Sequence, residues 1–446
     1  MIADATLDDQ LAPLHALTCG RGPRDDALVV RESADRITLT ISASGTERSR
    51  MTSGGTGFDL VMPGRHEYRH TDLLDPRRAT AALSHAHPTV AGEPPPTLLS
   101  AHEADQVRVV AEEAAEVIRS RPPATPSVTA ILGRRRVTVL RSDGVARTEE
   151  RLQAELRIGA RAESAHGRVA ALRVVSMSDL GTLAAAGHLA AAAAAAEAAL
   201  RMTRSVKPQA RQLPVVLGPG SPGALFHELC GHGLEYDLAA AAGAYFGPPA
   251  GRRVAAPLLS YRDDPRLPLE AGLYEMDDEG TLASQAQLIE QGELVGWLTD
   301  RAEARYLGRA GSGHGRRLDH TRRALPRMAS SYVAPGTSRP EEVIADVPLG
   351  LFVTGIAGGE ADITGDEFTA RTSEAYLIEH GRLSAPVSPV ILSGSVAEVL
   401  FRVDAVCDDL AFLAYGAQCG KFGHFPLTVS VGQPTVRISR LDIQPL

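Results

Sequence analysis

Lysine, aromatic residues and cysteine are all scarce in this chain of 446 residues. Lys207 and Lys421 are the only lysines among 46 basic residues, and the formal net charge is −8. A nucleic-acid-binding protein needs a concentrated positive field to displace counterions from phosphates, so this charge balance argues against that class. Aromatic residues make up 4% of the chain, which argues against a large hydrophobic docking surface.

Disulfides and membrane spans are also unexpected. The chain has four cysteines, Cys19, Cys230, Cys407 and Cys419. They are too sparse for a disulfide framework in a chain of this length, so a reducing compartment is favoured. The most apolar run, 189–199, is nearly all alanine, contains Glu197 and is too short to cross a bilayer. The acidic N-terminal stretch lacks the pattern of a secretory signal, so we expect a cytoplasmic protein without membrane contact.

The pattern of strands and helices predicts an α+β fold. Alternating residues and turn signals from 128 to 175 predict an antiparallel meander, and apolar spacing after Ser100 and Glu103 predicts a capped helix. A second, alanine-rich helix is predicted over about 180–202, and composition changes after Lys207. We therefore predict an N-terminal α+β domain with antiparallel strands and long helices over 1–208. A C-terminal, mainly antiparallel β domain over 209–446 should carry a metal-binding helix.

The segment 226–237, FHELCGHGLEYD, carries the chemistry. His227 and His232 bracket Glu228, as in the HExxH zinc peptidases, but the second histidine lies at i+5. On a regular helix this spacing rotates the imidazoles by about 140°, so they diverge. They can share a metal if the helix is locally widened, and a π-bulge is the usual device. Gly231 and Gly233 should make that distortion cheaper.

Two neutral imidazoles and one more ligand can hold zinc and leave a coordination position open for water. Glu228 adjoins the first ligand, where its carboxylate can take a proton from that water. Spacing alone leaves the third ligand open. The candidates are Cys230, Glu235, Cys407, Cys419 and His424.

This segment resembles the TldD/PmbA family of zinc metallopeptidases, specifically its TldD-like branch with the motif HExxxHGxExD. The matching positions are His227, Glu228, His232, Gly233, Glu235 and Asp237. Other segments similar to the family are 263–265, 277–280, 288–292, 311–317, 327–332, 350–366, 373–374, 419–423 and 431–435. The N-terminal likeness is looser and centres on 54–64. The resemblance implies zinc-dependent hydrolysis of extended or unfolded peptides, including the trimming of peptide precursors.

The resemblance also implies the remaining site residues. In the TldD-like branch the third ligand is the cysteine of the closing segment, which here is Cys419. Lys421 is expected to lower the thiol pKa or to face substrate. Ser330 and His424 depart from residues usual in the family, so we expect His424 to contact substrate and specificity to differ from the family norm.

Two other functions compete with this interpretation. One is a non-catalytic, PmbA-like partner subunit, which would keep the fold without the ligands. The other is a thiol enzyme with Cys419 as nucleophile and a histidine as base. The resemblance further implies a dimer, and we rank a PmbA-like hetero-partner above a homodimer. No metal role is expected for the remaining histidines considered, His66, His70, His85, His87, His314 and His320.

Overall fold

The computed structural model describes residues 7–19, 26–62, 65–84, 95–164, 167–177, 187–209, 211–362 and 366–446. Its first part contains strands β1 (Asp26–Ser42), β2 (Gly45–Met62), β3 (Arg65–Thr71), β4 (Thr125–Arg141), β5 (Ala146–Ser164) and β6 (Gly167–Met177). The helices there are α1 (Leu7–Thr18), α2 (Pro76–Ser84), α3 (Ala101–Arg119) and α4 (His188–Met202). The strands form one antiparallel sheet in the order β3-β2-β1-β4-β5-β6.

Helices α3 and α4 cover one face of this sheet. Helix α3 begins with the predicted capping box, in which Ser100 and Glu103 each bond the other's backbone amide. Its buried stripe, which includes Val107, Val110 and Ile118, packs with strand residues in one hydrophobic core. Helix α4 contributes mainly alanines to that core, and their small side chains allow close approach to the sheet. The predicted start of α4 near 180 lies outside the described residues.

The second part of the chain is richer in strands. They are β7 (Gln212–Leu217), β8 (Tyr261–Asp263), β9 (Ala286–Glu290), β10 (Glu293–Leu294), β11 (Gly315–Arg316), β12 (Leu325–Pro326), β13 (Ser330–Val333), β14 (Leu349–Ala361), β15 (Glu367–Glu379), β16 (Arg382–Val387), β17 (Val390–Ser395), β18 (Val403–Val406), β19 (Ala411–Lys421), β20 (His424–Gln433) and β21 (Val436–Pro445). The α-helices are short: α5 (Gly223–Phe226), α6 (Tyr236–Ala239), α7 (Arg301–Tyr306), α8 (Pro340–Ala345) and α9 (Val396–Phe401). A 3₁₀ turn spans Leu269–Ala271.

Two larger sheets organise these strands. One has the order β10-β9-β8-β13-β20-β19, and the other has the order β14-β7-β21-β17-β15-β16. Because β14 also pairs with β15, five strands of the second sheet close into a barrel. Leu225, Phe226 and Leu229 of the helical segment after β7 share a core with residues of both sheets, among them Val353 and Val429. That segment is therefore fixed between the barrel and the neighbouring sheet.

The predicted α+β class is confirmed, as is the antiparallel meander of β4, β5 and β6. The division of the chain between 208 and 209 stays a prediction. Among the described helices, none is both long and apolar enough to cross a membrane.

A buried carboxylate joins the N-terminal sheet to the second part of the chain. Asp278 is 2.7 Å from Arg151 Nη1 and 3.2 Å from Arg135 Nη1, and it accepts the Arg317 backbone N–H at 2.8 Å. Burial raises the pKa of Asp278, but Arg135, Arg151 and Arg317 outweigh burial and hold it well below its usual range. This contact between the N-terminal sheet and the second part of the chain, called the seam below, therefore depends on the ionised form of Asp278.

We expect Asp278→Asn to lower the free energy of unfolding by about 1 to 3 kcal/mol, because it removes the buried carboxylate that Arg135 and Arg151 share and leaves them with Glu32 and Glu149 alone. The native pKa of Asp278 lies below the unfolded value of about 4, so its contribution is present above that pH and disappears as the pH falls further. Denaturant unfolding of both proteins from pH 7 to pH 3 should therefore show a shrinking difference.

The control for this experiment is Glu116→Gln, which removes the exposed partner of Arg119 on α3. Such surface pairs contribute about 0 to 1 kcal/mol. Equal losses in the two variants would contradict the role assigned to Asp278.

Candidate metal centre

A π-helical turn brings the two motif histidines together. After α5 the backbone forms a π-turn over His227–Gly231 and then a 3₁₀ turn over His232–Leu234. The His232 backbone N–H donates to the His227 carbonyl, which is the i to i+5 bond of a π-helix. The imidazole centroids lie 5.3 Å apart in an edge-to-face arrangement. The local widening predicted from the i+5 spacing is confirmed.

The motif glycines serve packing rather than unusual backbone torsion. Gly231 has φ −60° and ψ −55°, which any residue adopts in a helix. A Cβ at Gly231 would overlap the Met328 sulfur, and one at Gly233 would lie 2.6 Å from the Phe246 ring. The expectation that these glycines ease the distortion is therefore replaced by a steric reason, the close approach of two buried side chains.

Cys419 on β19 completes a group of three potential metal ligands. Its Sγ lies 3.3 Å from His227 Nε2 and 3.3 Å from His232 Nε2, although 192 and 187 residues of sequence separate it from them. Tetrahedral zinc with bonds of about 2.1 Å to nitrogen and 2.3 Å to sulfur separates these ligands by about 3.6 Å. Small side-chain adjustments would suffice to admit the ion, so the geometry and the donor set both fit zinc.

The electrostatics of the group favour a thiolate. Burial raises the pKa of the Cys419 thiol, but the charges and hydrogen bonds of His227 and His232 hold it well below its usual range. Burial lowers the pKa of His232, but Glu235 and Cys419 raise it well above its usual range. Cys419 is therefore predisposed to the deprotonated form in which sulfur binds metals.

Each imidazole has an oxygen partner on its second nitrogen. His232 Nδ1 lies 3.2 Å from Glu235 Oε2, and His227 Nδ1 lies 3.4 Å from Ser331 Oγ. Such contacts fix the ring orientation and leave Nε2 free to coordinate. Glu235 thus contacts one of the three potential ligands and does not belong to their group. Ser331 was not singled out by the sequence analysis, because it comes from β13, about 100 residues away.

Glu235 is fully buried and gathers several partners. Its carboxylate lies 3.0 Å from Lys421 Nζ and 3.4 Å from Arg327 Nε, and it accepts the Met328 backbone N–H at 3.1 Å. Burial raises the pKa of Glu235, but Lys421, His232 and Arg327 outweigh it and hold the pKa far below its usual range. This ionised carboxylate ties the histidine segment to the hairpin that carries Cys419.

Lys421 lies among oxygen atoms close to the three potential ligands. Its ammonium is buried and also contacts Asp237 Oδ1 at 2.8 Å and the Pro326 carbonyl at 2.6 Å. With Glu235, these oxygens satisfy all three of its donors. These contacts give Lys421 a structural role, and its predicted contact with substrate stays a prediction.

His424 is likewise buried, with 3% of its surface exposed. Burial and the nearby charges of Arg327, Arg322, Lys421 and Arg323 lower the pKa of His424 to about 4. Its backbone carbonyl lies 3.3 Å from Arg327 Nη1. The imidazole is therefore neutral and enclosed, and its predicted contact with substrate stays a prediction. Ser330 is also buried, and its backbone N–H donates to Asp263.

Glu228 lies beside the three potential ligands without belonging to their group. It borders a narrow cleft together with Phe246, Asp362, Asp366 and Val396. Burial raises the pKa of Glu228, which His227 and His232 partly offset. A carboxylate with a raised pKa near a potential metal site suits a proton acceptor.

The other two candidate cysteines are buried at separate places. Cys230 lies in the π-turn within the main core, and burial alone raises its thiol pKa strongly. Cys407 lies in a smaller core with Val216 and Ile378, where burial raises its pKa to about 12. Neither belongs to the group formed by His227, His232 and Cys419.

Comparison with known proteins assigns the chain to a family. The family model of the PmbA/TldA metallopeptidase C-terminal domain matches residues 210–445, which is more than half of the sequence. The chain belongs to the TldD/PmbA family. The matched range contains the π-turn, the hairpin with Cys419 and the network around Glu235.

Relatives in the TldD/PmbA family carry metalloprotease names. A Buchnera aphidicola protein named metalloprotease TldD homolog is 37% identical over 230 residues, covering 52% of this chain and 47% of its own length. A Saccharolobus solfataricus protein named zinc metalloprotease TldD homolog is 27% identical over 237 residues, covering 53% of this chain and 52% of its own length. The chain spans about half the length of the curated relatives it matches.

The fold extends over nearly the whole chain. The crystal structure of TldE from Thermococcus kodakarensis superposes with a TM-score of 0.77 at 16% identity, covering 99% of this chain and 100% of that one. At that identity the likeness concerns the fold alone.

We expect Cys419→Ser to lose bound zinc, because a serine hydroxyl is a poor replacement for thiolate on this ion. Cys230→Ala and Cys407→Ala are matched controls, since both remove a buried thiol away from the histidines. Elemental analysis of dialysed protein should give about one zinc fewer per chain for Cys419→Ser alone. Zinc retained at the wild-type level would exclude Cys419 as a ligand.

Proposed function

We propose that this protein is a zinc-dependent metallopeptidase that hydrolyses peptide bonds in extended or unfolded peptides. The observation that carries the proposal is the convergence of His227, His232 and Cys419 on one point, with Glu228 near enough to interact electrostatically with all three. Metalloprotease names among the relatives support the same class of reaction.

The proposed ligands are His227 Nε2, His232 Nε2 and Cys419 Sγ, which leaves a fourth position for water or substrate. Zinc, when bound there, supplies Lewis acidity towards a carbonyl oxygen and towards water. Ser331 contacts Nδ1 of His227 and Glu235 contacts Nδ1 of His232, and these contacts fix the orientation of the two imidazoles.

Glu228 is the proposed general base. Its carboxylate accepts a proton from the water that attacks the peptide carbonyl and then gives it to the leaving nitrogen. The raised pKa of Glu228 suits both halves of this exchange, because the group must hold the proton briefly and then release it.

The neighbouring strand supports an extended substrate. β19 is the last strand in the order of its sheet, and among the described strands it pairs with β20. An extended peptide added along β19 would form main-chain hydrogen bonds close to Cys419, with little demand on its side chains. A folded protein would have to open locally before it could bind in this way.

We further propose that the protein works in the cytoplasm as a dimer, preferably with a PmbA-like partner. The turn beside the metal group exposes two aromatic side chains, with Phe422 69% and Phe425 62% exposed. Aromatic residues exposed next to a catalytic group suit contact with a second subunit or a bound peptide. A reducing cytoplasm would keep Cys419 available as a thiolate.

We expect Glu228→Ala to keep its zinc but to lose peptide hydrolysis by about 10²- to 10⁴-fold, because the variant removes a proton acceptor and no ligand. Turnover of an unstructured peptide by zinc-loaded protein, with zinc content measured on the same sample, checks this. Glu112→Ala on the exposed face of α3 is the control and should be fully active. Wild-type turnover in Glu228→Ala would exclude it as the base.

We expect the zinc-loaded enzyme, with its partner where one exists, to cleave an unfolded protein and to spare the same protein in its native form. Mass spectrometry of products from one substrate, prepared native and stably unfolded, checks this. Comparable cleavage of both forms, when the native form does not open, would contradict strand addition at β19. Absence of both zinc binding and hydrolysis would instead favour the non-catalytic partner subunit.

A further inference from the structure

One face of β3 meets the second part of the chain at a place remote in sequence from the π-turn. Side chains two residues apart lie on the same face of a strand, so His66, Tyr68 and His70 share an orientation, and Asp72 follows directly after the strand. The Tyr68 hydroxyl donates to the His320 carbonyl at 2.6 Å. This contact brings the loop that contains His320 against the end of β3.

Three potential metal ligands converge there. His320 Nε2 lies 2.8 Å from Asp72 Oδ1, and the His70 and His320 ring centroids are 6.3 Å apart. One ligand atom from each of His70, Asp72 and His320 lies within 4.8 Å of the others. The sequence predicted no metal role for either histidine, because His70 falls in a predicted surface turn and His320 stands near arginines, where histidines are usually solvated or structural.

The position of His320 is fixed by the backbone around it. The residue is 4% exposed, and a Cβ at Gly55 on β2 would overlap its ring. His70 and Asp72 are exposed, so their side chains are free to adjust. One ligand is therefore held by packing while the other two can close on an ion from the solvent side.

We propose that His70, Asp72 and His320 form a second metal site, which binds a divalent transition ion such as zinc. Tetrahedral zinc separates its nitrogen and oxygen ligands by about 3.4 Å. His320 Nε2 and Asp72 Oδ1 are 2.8 Å apart, which is a hydrogen-bond distance. An ion between them would replace this hydrogen bond and would require the two atoms to move slightly apart. The imidazoles would approach by about 1 Å, towards the 5.3 Å found for His227 and His232.

The donor set selects the class of ion. Two imidazoles and one carboxylate suit zinc, cobalt, nickel or copper, whereas calcium and magnesium prefer oxygen ligands. The nearby cation Arg323 contacts His66, with Nη1 3.5 Å from Nδ1. An ion pair alone would explain why Asp72 lies close to His320, but it would not explain why His70 lies there too. A metal site explains the position of all three residues.

Such an ion would bridge the two parts of the chain. His70 and Asp72 belong to β3 and the residue after it, whereas His320 precedes β12 in the second part. Bound metal would reinforce the seam that Asp278 and its arginines already hold. Coordination by side chains distant in sequence stabilises the folded state, because the unfolded chain lacks a preformed site.

The test is zinc stoichiometry in full-length wild type, His70→Ala and His66→Ala. We expect two zinc ions per chain in the wild type and in His66→Ala, and one in His70→Ala. His66 is a matched control on the same face of the same strand. The exposed position of His70 avoids a fold defect, which circular dichroism can check. Equal zinc content in His70→Ala and the wild type would overturn the proposal.

Substitution of cobalt for zinc distinguishes metal bound at this second site from metal bound at the site with Cys419. Cobalt bound through thiolate has a sulfur-to-metal charge-transfer absorption that imidazole and carboxylate ligands do not give. His70→Ala should lose one equivalent of cobalt and keep that absorption, whereas Cys419→Ser should lose the absorption and keep the other equivalent. Loss of both ions in Cys419→Ser with an intact fold would overturn the second site and leave the first untouched.

Discussion

The hydrogen bond from the His232 backbone N–H to the His227 carbonyl determines whether the two imidazoles can bind the same ion. With α-helical spacing the rings would point about 140° apart, and no choice of third ligand could compensate. The π-turn removes that divergence, but it needs support from its surroundings. Met328 fills the space left by Gly231, and Phe246 lies against Gly233, so the core itself fits this backbone.

The buried ion pair of Glu235 and Lys421 connects the π-turn to the hairpin that carries Cys419. Glu235 and Lys421 are both removed from water, which is costly unless every polar atom finds a partner. Here the lysine reaches three oxygens, and the carboxylate contacts His232, Lys421 and the Met328 amide. Because Lys421 is two residues beyond Cys419, the same ion pair sets the distance between the thiolate and the histidines.

The sequence was most informative where contacts are local. The i+5 spacing predicted a widened helix, and the capping box predicted the start of α3, because both depend on residues within one or two turns. Long-range contacts could not be predicted in this way. Ser331 reaches His227 from another strand, Lys421 is buried by partners far along the chain, and His70 meets His320 only once the sheets dock. The third ligand was suggested by family resemblance rather than by spacing.

The N-terminal sheet also acts on the candidate centre, through the hairpin of β19 and β20. Ser176 at the end of β6 donates to the Ala414 carbonyl on β19 at 2.6 Å, and Gln153 of β5 lies 3.4 Å from Thr428 on β20. These contacts join the N-terminal sheet to both strands of the hairpin that carries Cys419. Since β19 lies at the end of its sheet, its position depends on the N-terminal sheet as well as on β20. The first half of the chain is therefore part of what holds Cys419, the proposed third ligand, in place, although it supplies none of the three proposed ligands.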